Sequence, residues 1–210
     1  MKQIISLFFI LFSCIEISAW ELKRDSEGIQ VYTRPIEGSQ LKEFKAVTVY
    51  KGSLKSITAV MRDPNAACSW FPDCREFRSL KVNSPFSSVE YIRIKAPFPV
   101  SDRDNITQTV LSQDKKTKAV KISITSLPKY LPETAGVVRV TKVQGYWLFT
   151  PKSENETEIV YQVHAEPGGS LPDMIANSFV TESPFKALKN LKNKAKEEKY
   201  QNADMSKIIE

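Results

Sequence analysis

Short runs of alternating hydrophobic and polar residues fill most of the chain up to residue 165. The first two cover Ile29 to Arg34 and Phe44 to Tyr50, and both are rich in β-branched side chains. Side chains of a strand point alternately to its two faces, so this pattern predicts half-buried strands. Further runs predict strands over residues 76–82, 89–95, 106–111, 119–125, 137–148 and 158–165. The turns between them are rich in Pro, Asn, Asp and Gly, which indicates a meandering antiparallel sheet.

One run shows how the two faces of the sheet differ. Over residues 119–125, Val120, Ile122 and Ile124 share one face, and polar side chains share the other. This division is typical of a sheet with one apolar and one solvated side.

The hydrophobic period becomes helical after the second strand. Ser53 is a good N-cap for a short helix, and Asp63-Pro64 ends it. A second helical turn is expected over residues 66–70, before Pro72. The pattern therefore predicts two short helices between the second and third strands.

A longer helical pattern lies near the C-terminus. The turn over 166–172 precedes it, with Ser170 as the expected N-cap, and the spacing predicts a helix of about 25 residues with a kink near Pro184. An apolar stripe that includes Met174 and Phe179 runs along one face, and lysines occupy the other.

These elements predict an α+β fold in one domain over residues 20–200. A curved antiparallel sheet wraps around the long C-terminal helix, with two short helices after the second strand. Such a sheet encloses more volume than one helix fills, so an apolar cavity is expected. Residues 201–210 are polar enough to form a flexible tail.

The N-terminus has a pattern of its own. Lys2 precedes an apolar stretch over residues 4–12 that is too short to anchor the chain in a bilayer. We interpret residues 1–19 as a signal peptide cleaved after Ala19, and expect an exported protein, periplasmic or secreted. Lipoprotein processing at Cys14 is the alternative, although the bulky Phe12 fits that cleavage box poorly.

Charge and cysteine content add limits. The net charge of +6 favours anionic surfaces, but no basic patch interleaved with aromatics predicts nucleic-acid binding. After processing, Cys68 and Cys74 remain, and they either form a disulfide in an oxidising compartment or stay as two buried thiols. With one histidine in the chain, no metal site is expected.

Several segments, in order along the chain, resemble the START lipid-binding family. They cover residues 20–34, 70–76, 96–104, 138–147 and 166–177. The most specific is the Pro-x-Pro-Val-x-Asp-Arg-Asp stretch over 97–104. The resemblance is closest to exported bacterial members, and it implies the helix-grip fold with a lipid-sized tunnel closed by the C-terminal helix. It implies no cofactor.

Candidate ligand contacts follow from the alternation and the resemblance together. Arg103, between two aspartates, either meets a lipid head group or joins two strands, and the resemblance favours the second role. Arg139 is a candidate polar anchor if it points into the tunnel, but the same alternation could point it to solvent. His164 is an isolated imidazole, a type that is most often structural. The remaining candidates, in the cavity or on the helix acting as its lid, are Trp147, Met174 and Phe179.

The sequence contains no catalytic motif such as a Gly-x-Ser-x-Gly elbow or a Gly-rich phosphate loop, so no catalytic residue is expected. We expect a monomeric carrier of a phospholipid, fatty acid or sterol-like ligand. Transient contact with membranes is expected through the C-terminal helix, whose lysines favour anionic lipid. The alternative is an enzyme or small-molecule sensor that uses the same cavity on a more polar substrate.

Overall fold

A computed structural model describes residues 19–39 and 41–206 of the chain. The strands are β1 (Glu21–Ser26), β2 (Ile29–Arg34), β3 (Glu43–Tyr50), β4 (Cys74–Ser84), β5 (Ser87–Ile94), β6 (Asp102–Gln113), β7 (Val120–Ser126), β8 (Val137–Arg139), β9 (Lys142–Ser153) and β10 (Glu156–Glu166). The helices are α1 (Leu54–Met61), α2 (Ala67–Trp70), α3 (Asp173–Lys194) and α4 (Glu198–Gln201), with a 3-10 turn at Pro64–Ala66. The predicted signal peptide, its Cys14 alternative and the last four residues of the predicted tail lie outside the described residues.

The strands form one curved sheet around the C-terminal helix, and this confirms the predicted helix-grip fold. Its order is β1-β2-β3-β10-β9-β7-β6-β5-β4, and the neighbours in this order pair antiparallel. β8 lies off this path and pairs in parallel with β6. Helix α3 packs on β2 and β3, so it covers one end of the sheet and leaves β4 to β7 to other elements.

Two strands differ from the sequence pattern. The predicted strand over 137–148 is two strands, because Val140 N–H donates to the Asp104 carbonyl and ends β8 on β6 before the chain turns into β9. β1 was not predicted, since its sequence Glu-Leu-Lys-Arg-Asp-Ser lacks apolar alternation. It is an edge strand that pairs only with β2 in the described part of the sheet.

The short helices begin and end where the sequence predicts. Ser53 caps α1, and its side chain accepts a hydrogen bond from Ser56 N–H. Asp63 then caps the 3-10 turn by accepting from the N–H groups of Asn65 and Ala66. These local side-chain bonds fix where the α1–α2 segment, residues 54–71, crosses the sheet.

Helix α3 begins later than predicted. Gly168 and Gly169 both adopt positive φ, so the chain is still turning at Ser170, and Pro172 occupies the N-cap without a side-chain cap bond. Ser170 was therefore wrong as the N-cap. The helix continues through the buried Pro184 over 22 residues.

The described part of the predicted tail packs against the domain. Tyr200 and Met205 are buried in the core, and Gln201 Nε2 donates to the Tyr50 hydroxyl at 3.0 Å. Apolar burial outweighs the polar composition of this segment, so residues 201–206 do not form the free tail that the sequence predicts.

The apolar side chains form two clusters on opposite faces of the sheet. The large one lies on the inner face and includes Val31, Phe149, Leu188 and Leu191. A small one on the outer face consists of Val89, Tyr91 and Ile106, with Leu80, Leu127 and Leu131 packed against it. The residues over 127–132 thus cover part of the sheet that an open antiparallel sheet would expose to water.

Candidate functional site

A cavity of about 240 Å³ lies between the inner face of the sheet and the α1–α2 segment. Strands β4 to β7, β9 and β10 contribute its walls through alternate residues, as the pleat of the sheet requires. Three lining residues, Pro64, Ser79 and Val82, are exposed. The cavity therefore reaches solvent between the 3-10 turn and β4.

One wall of the cavity is apolar. It is formed by Ile122 and Ile124 of β7, Val143 and Trp147 of β9, and Tyr161 and Val163 of β10. This confirms the apolar face predicted for the seventh strand. The ring of Trp147 stacks on that of Tyr161, with centroids 3.6 Å apart, and burial raises the pKa of the Tyr161 phenol.

The facing wall, called the polar wall below, carries a polar patch among apolar residues of β4 to β6. Ser88 and Glu90 of β5 lie beside Thr107 and Thr109 of β6. The hydroxyl of Ser88 donates to Glu90 Oε1 at 2.9 Å, and that of Thr109 donates at 3.4 Å. Burial raises the pKa of the Glu90 carboxyl, although these hydrogen bonds and the Arg62 charge oppose the shift.

The α1–α2 segment forms the roof of the cavity. Val60, Met61, Trp70 and Phe71 supply its apolar part, and Arg62 supplies a cation. Asn190 of α3 donates to the Trp70 carbonyl at 2.9 Å, so the C-terminal helix supports this roof from behind. None of the described α3 residues lines the cavity itself.

Cys68 and Cys74 are joined in a disulfide, with their Cα atoms 4.9 Å apart. Of the two predicted states, the structure therefore has the bonded one. The bond ties α2 in the roof to the first residue of β4 in the wall. It closes a short loop that contains Trp70 and Phe71.

Arg103 lies at the end of the sheet outside the cavity lining. It is 5% exposed and donates to the carbonyls of Ser101 and Ser170, at 2.6 and 3.3 Å. It thus links the β5–β6 loop to the turn before α3. Its neighbour Asp102 makes the ion pairs instead, with Arg93 and Arg75 at 2.8 and 3.0 Å.

Arg139 points to the outer face of the sheet, away from the cavity. Its guanidinium makes two hydrogen bonds to the Asp104 carboxylate, at 2.7 and 3.1 Å. Its remaining N–H groups donate to the carbonyls of Pro128, Leu131 and Pro132. The side chain is therefore buried and fully engaged in holding residues 127–132 against the sheet.

The other predicted contacts lie in different places. His164 is on the outer face, with Nε2 2.9 Å from the Ser39 hydroxyl and 3.4 Å from a Glu166 oxygen. Met174 is 80% exposed at the start of α3, and Phe179 is half-buried. Of the six predicted ligand contacts, only Trp147 lines the cavity, so contact with ligand stays a prediction for the others.

Sequence reasoning missed the polar members of the site, Arg62 and Glu90. The apolar residues Val89, Tyr91 and Ile106 suggest the wrong inner face for β5 and β6. A usable signal was present, because Ser88 and Glu90 alternate with them in the same way as Thr107 and Thr109 do on the paired strand.

Comparison with known proteins agrees with this fold. The START domain family model matches residues 13–200. An uncharacterized protein of Pseudomonas aeruginosa, PA1579, is 35% identical over 84% of this chain and 86% of its own length. The phosphatidylcholine transfer protein of Bos taurus is 26% identical over 76% of each chain.

A solved structure gives the same result. The STAR-related lipid transfer protein fragment from Xanthomonas axonopodis superposes with a TM-score of 0.78 at 35% identity, covering 85% of this chain and 99% of that one. The sheet, the C-terminal helix and the matched residues lead to one assignment: the chain belongs to the START domain family.

Proposed function

We propose that the protein binds a lipid or another hydrophobic ligand in the cavity between the sheet and the α1–α2 segment, for transfer or sensing. One observation carries this proposal: the apolar wall with its stacked Trp147 and Tyr161 leaves a cavity of about 240 Å³ in a START-family fold. Enclosed apolar space of this kind favours an apolar occupant, because the occupant leaves water on entry. Relatives named as lipid transfer proteins support the same function.

The proposed protein is a carrier and not an enzyme. The chain has one histidine, His164, and it lies on the outer face of the sheet. Glu90 is the titratable group in the polar wall, and its described hydrogen-bond partners are hydroxyls, not a base or nucleophile pair. This arrangement supports binding without turnover.

We place the protein outside the cytoplasm, as the N-terminal pattern predicts. None of the described helices is long and apolar enough to cross a membrane. Mass spectrometry of the N-terminus of the protein from its own cells tests the processing. A mature chain that starts at Trp20 supports the signal peptide, a lipidated Cys14 supports the lipoprotein, and an intact Met1 contradicts both.

Contact with a membrane is proposed at the end of the molecule where α3 begins. Met174 there is 80% exposed, and Phe98 in the β5–β6 loop is 96% exposed. Arg103 bridges the two segments through the Ser101 and Ser170 carbonyls. Exposed apolar side chains of this kind suit the interfacial region of a bilayer, where they leave water. A monomer suffices for this contact.

Native mass spectrometry of the gently purified protein, followed by lipid extraction, tests the binding function. We expect an added mass at one equivalent, which the extract identifies as a lipid. A protein that is repeatedly ligand-free, and that also takes up no fluorescent phospholipid, fatty acid or sterol, would contradict the proposal.

A further inference from the structure

Two hydrogen-bond donors in the roof of the cavity have no acceptor. Arg62 Nε and Trp70 Nε1 are buried and lack a hydrogen-bond partner among the described residues. Both side chains line the cavity. Buried polar groups are nearly always satisfied in native proteins, so two unsatisfied donors on one segment point to an acceptor supplied by a ligand.

Arg62 makes no ion pair with the carboxylates of the described residues. The adjacent Asp63 also lines the cavity, but its Oδ2 accepts from Lys199 Nζ at 3.0 Å and from the Tyr200 hydroxyl at 2.8 Å. Across the described part of the chain, the Arg62 side chain has no ion pair within 4.0 Å. The guanidinium therefore lines the cavity without a direct ion pair among the described residues, and its charge acts on the Glu90 carboxyl in the same lining.

Glu90 does not engage the donors of Arg62 and Trp70. It is the acidic residue of the polar wall, and its Oε1 already accepts hydrogen bonds from Ser88 and Thr109. Burial raises the pKa of this carboxyl, and its two hydrogen bonds and the Arg62 charge oppose that shift. The lining therefore offers donors of Arg62 and Trp70 that the Glu90 carboxyl does not engage, and the anionic oxygens of a ligand would satisfy them.

We infer that the ligand is an amphiphile with an anionic head group, a carboxylate or a phosphate, that binds the Arg62 guanidinium and the Trp70 indole N–H. Its apolar chain lies along the wall that contains Ile122, Trp147 and Tyr161. A planar guanidinium matches both kinds of head group, because its N–H donors pair with two oxygens of either. This inference rests on the proposed function and specifies its ligand.

Three probes with one myristoyl chain separate the head groups. Myristate carries a carboxylate, 1-myristoyl lysophosphatidic acid carries a phosphate, and 1-monomyristin is uncharged. Calorimetric titration of the full mature chain at neutral pH measures each affinity. We expect at least one anion to bind about tenfold or more tightly than monomyristin, since a hydrogen bond to a charged group is worth about that factor. The anion that binds more tightly identifies the head group.

Substitutions locate the recognition. Arg62→Met should weaken binding of the preferred anion by about tenfold or more and leave binding of monomyristin nearly unchanged. Arg62→Lys should recover part of the lost affinity. Lys55→Met is the matched control, because Lys55 is exposed on α1, the helix that Arg62 follows directly, and does not line the cavity. Glu90→Gln should not weaken anion binding, whereas it would weaken binding of a probe with a cationic head group.

The outcomes separate this inference from the proposed function. Equal binding of all three probes, with no effect of Arg62→Met, would overturn the anionic head group and leave lipid binding intact. Loss of affinity in Glu90→Gln for a choline-bearing probe, 1-myristoyl lysophosphatidylcholine, would assign the site to a cationic head group instead. If none of the probes binds, the inference and the proposed function both fail.

Discussion

At the scale of single residues, Arg139 stabilises the fold from the face of the sheet opposite to the cavity. Its side chain is 2% exposed and that of Asp104 is 1% exposed. The pair with Asp104 and the bonds to three carbonyls hold residues 127–132 over the outer apolar cluster. Hydrogen bonding to Asp104 raises the pKa of Arg139 despite its burial, so the buried guanidinium keeps its charge.

Arg139→Met should therefore lower the free energy of unfolding by about 3–5 kcal/mol, because it leaves the Asp104 carboxylate buried without its cation. Urea denaturation measures the change. The control is Arg78→Met, since Arg78 is half exposed and its ion pair with Glu76 should contribute about 1 kcal/mol or less. An Arg139→Met protein of unchanged stability that no longer binds lipid would instead support the predicted anchor role.

Asp102 should give the stability a dependence on acid pH. Burial raises the pKa of its carboxyl, but hydrogen bonds from Arg93 and Ala96 N–H and the charges of Arg75 and Arg93 outweigh burial, so the pKa lies below its ordinary value. A lowered folded-state pKa contributes stability above the unfolded value of about 3.9, and that contribution is lost as the pH falls through the folded value.

The comparison of the wild type with Asp102→Asn measures this effect. The difference between their unfolding free energies should be constant above pH about 5 and should shrink as the pH falls below about 4. A difference that grows on acidification would contradict the assignment of the lowered pKa to Asp102.

At the scale of elements, the α1–α2 segment and not the C-terminal helix roofs the cavity. The disulfide from Cys68 to Cys74 ties this roof to β4. Ligand entry then requires the roof and β4 to separate near Pro64, Ser79 and Val82, the exposed residues of the lining. The disulfide therefore limits how far the cavity can open.

Replacing both cysteines by serine should lower the free energy of unfolding by about 2 kcal/mol, the value expected for so short a closed loop. It should also speed the release of a bound fluorescent fatty acid, which stopped-flow dissociation measures. Reductant should have the same effect on the wild type and no effect on the double variant. An unchanged release rate in both would show that the roof does not gate the cavity.

The sequence predicted most elements of this fold but not the polar part of its site. Periodicity located α1, α3 and most strands because each buries an apolar face in the main core, as Ile122 and Ile124 do. It also located β5 and β6 but did not indicate which of their faces lines the cavity, because the loop over 127–132 covers the outer face and so allows apolar residues there. That arrangement depends on contacts between distant segments such as Arg139 with Asp104, which local patterns do not encode.

At the scale of the whole molecule, the exposed apolar residues at one end of the sheet should direct the protein to membranes. Changing Phe98 and Met174 together to serine should reduce the rate of lipid transfer between anionic vesicles by about tenfold or more. In the wild type, both apolar side chains leave water when the protein binds the membrane surface, and serine would not gain this free energy. Phe86→Ser is the control, since Phe86 is also exposed and lies at the other end of β4 and β5. Equal losses in both variants would contradict a specific membrane-facing end.

Whether the ligand occupies the cavity can be measured through the tryptophans of the protein. The chain has three, and Trp20→Phe leaves Trp70 and Trp147, which both line the cavity. A bromine-labelled fatty acid quenches only tryptophans that it contacts, and the unlabelled acid is its control. We predict strong quenching that saturates at one equivalent of the labelled acid. Binding of one equivalent without quenching would place the ligand elsewhere and contradict the cavity as the binding site.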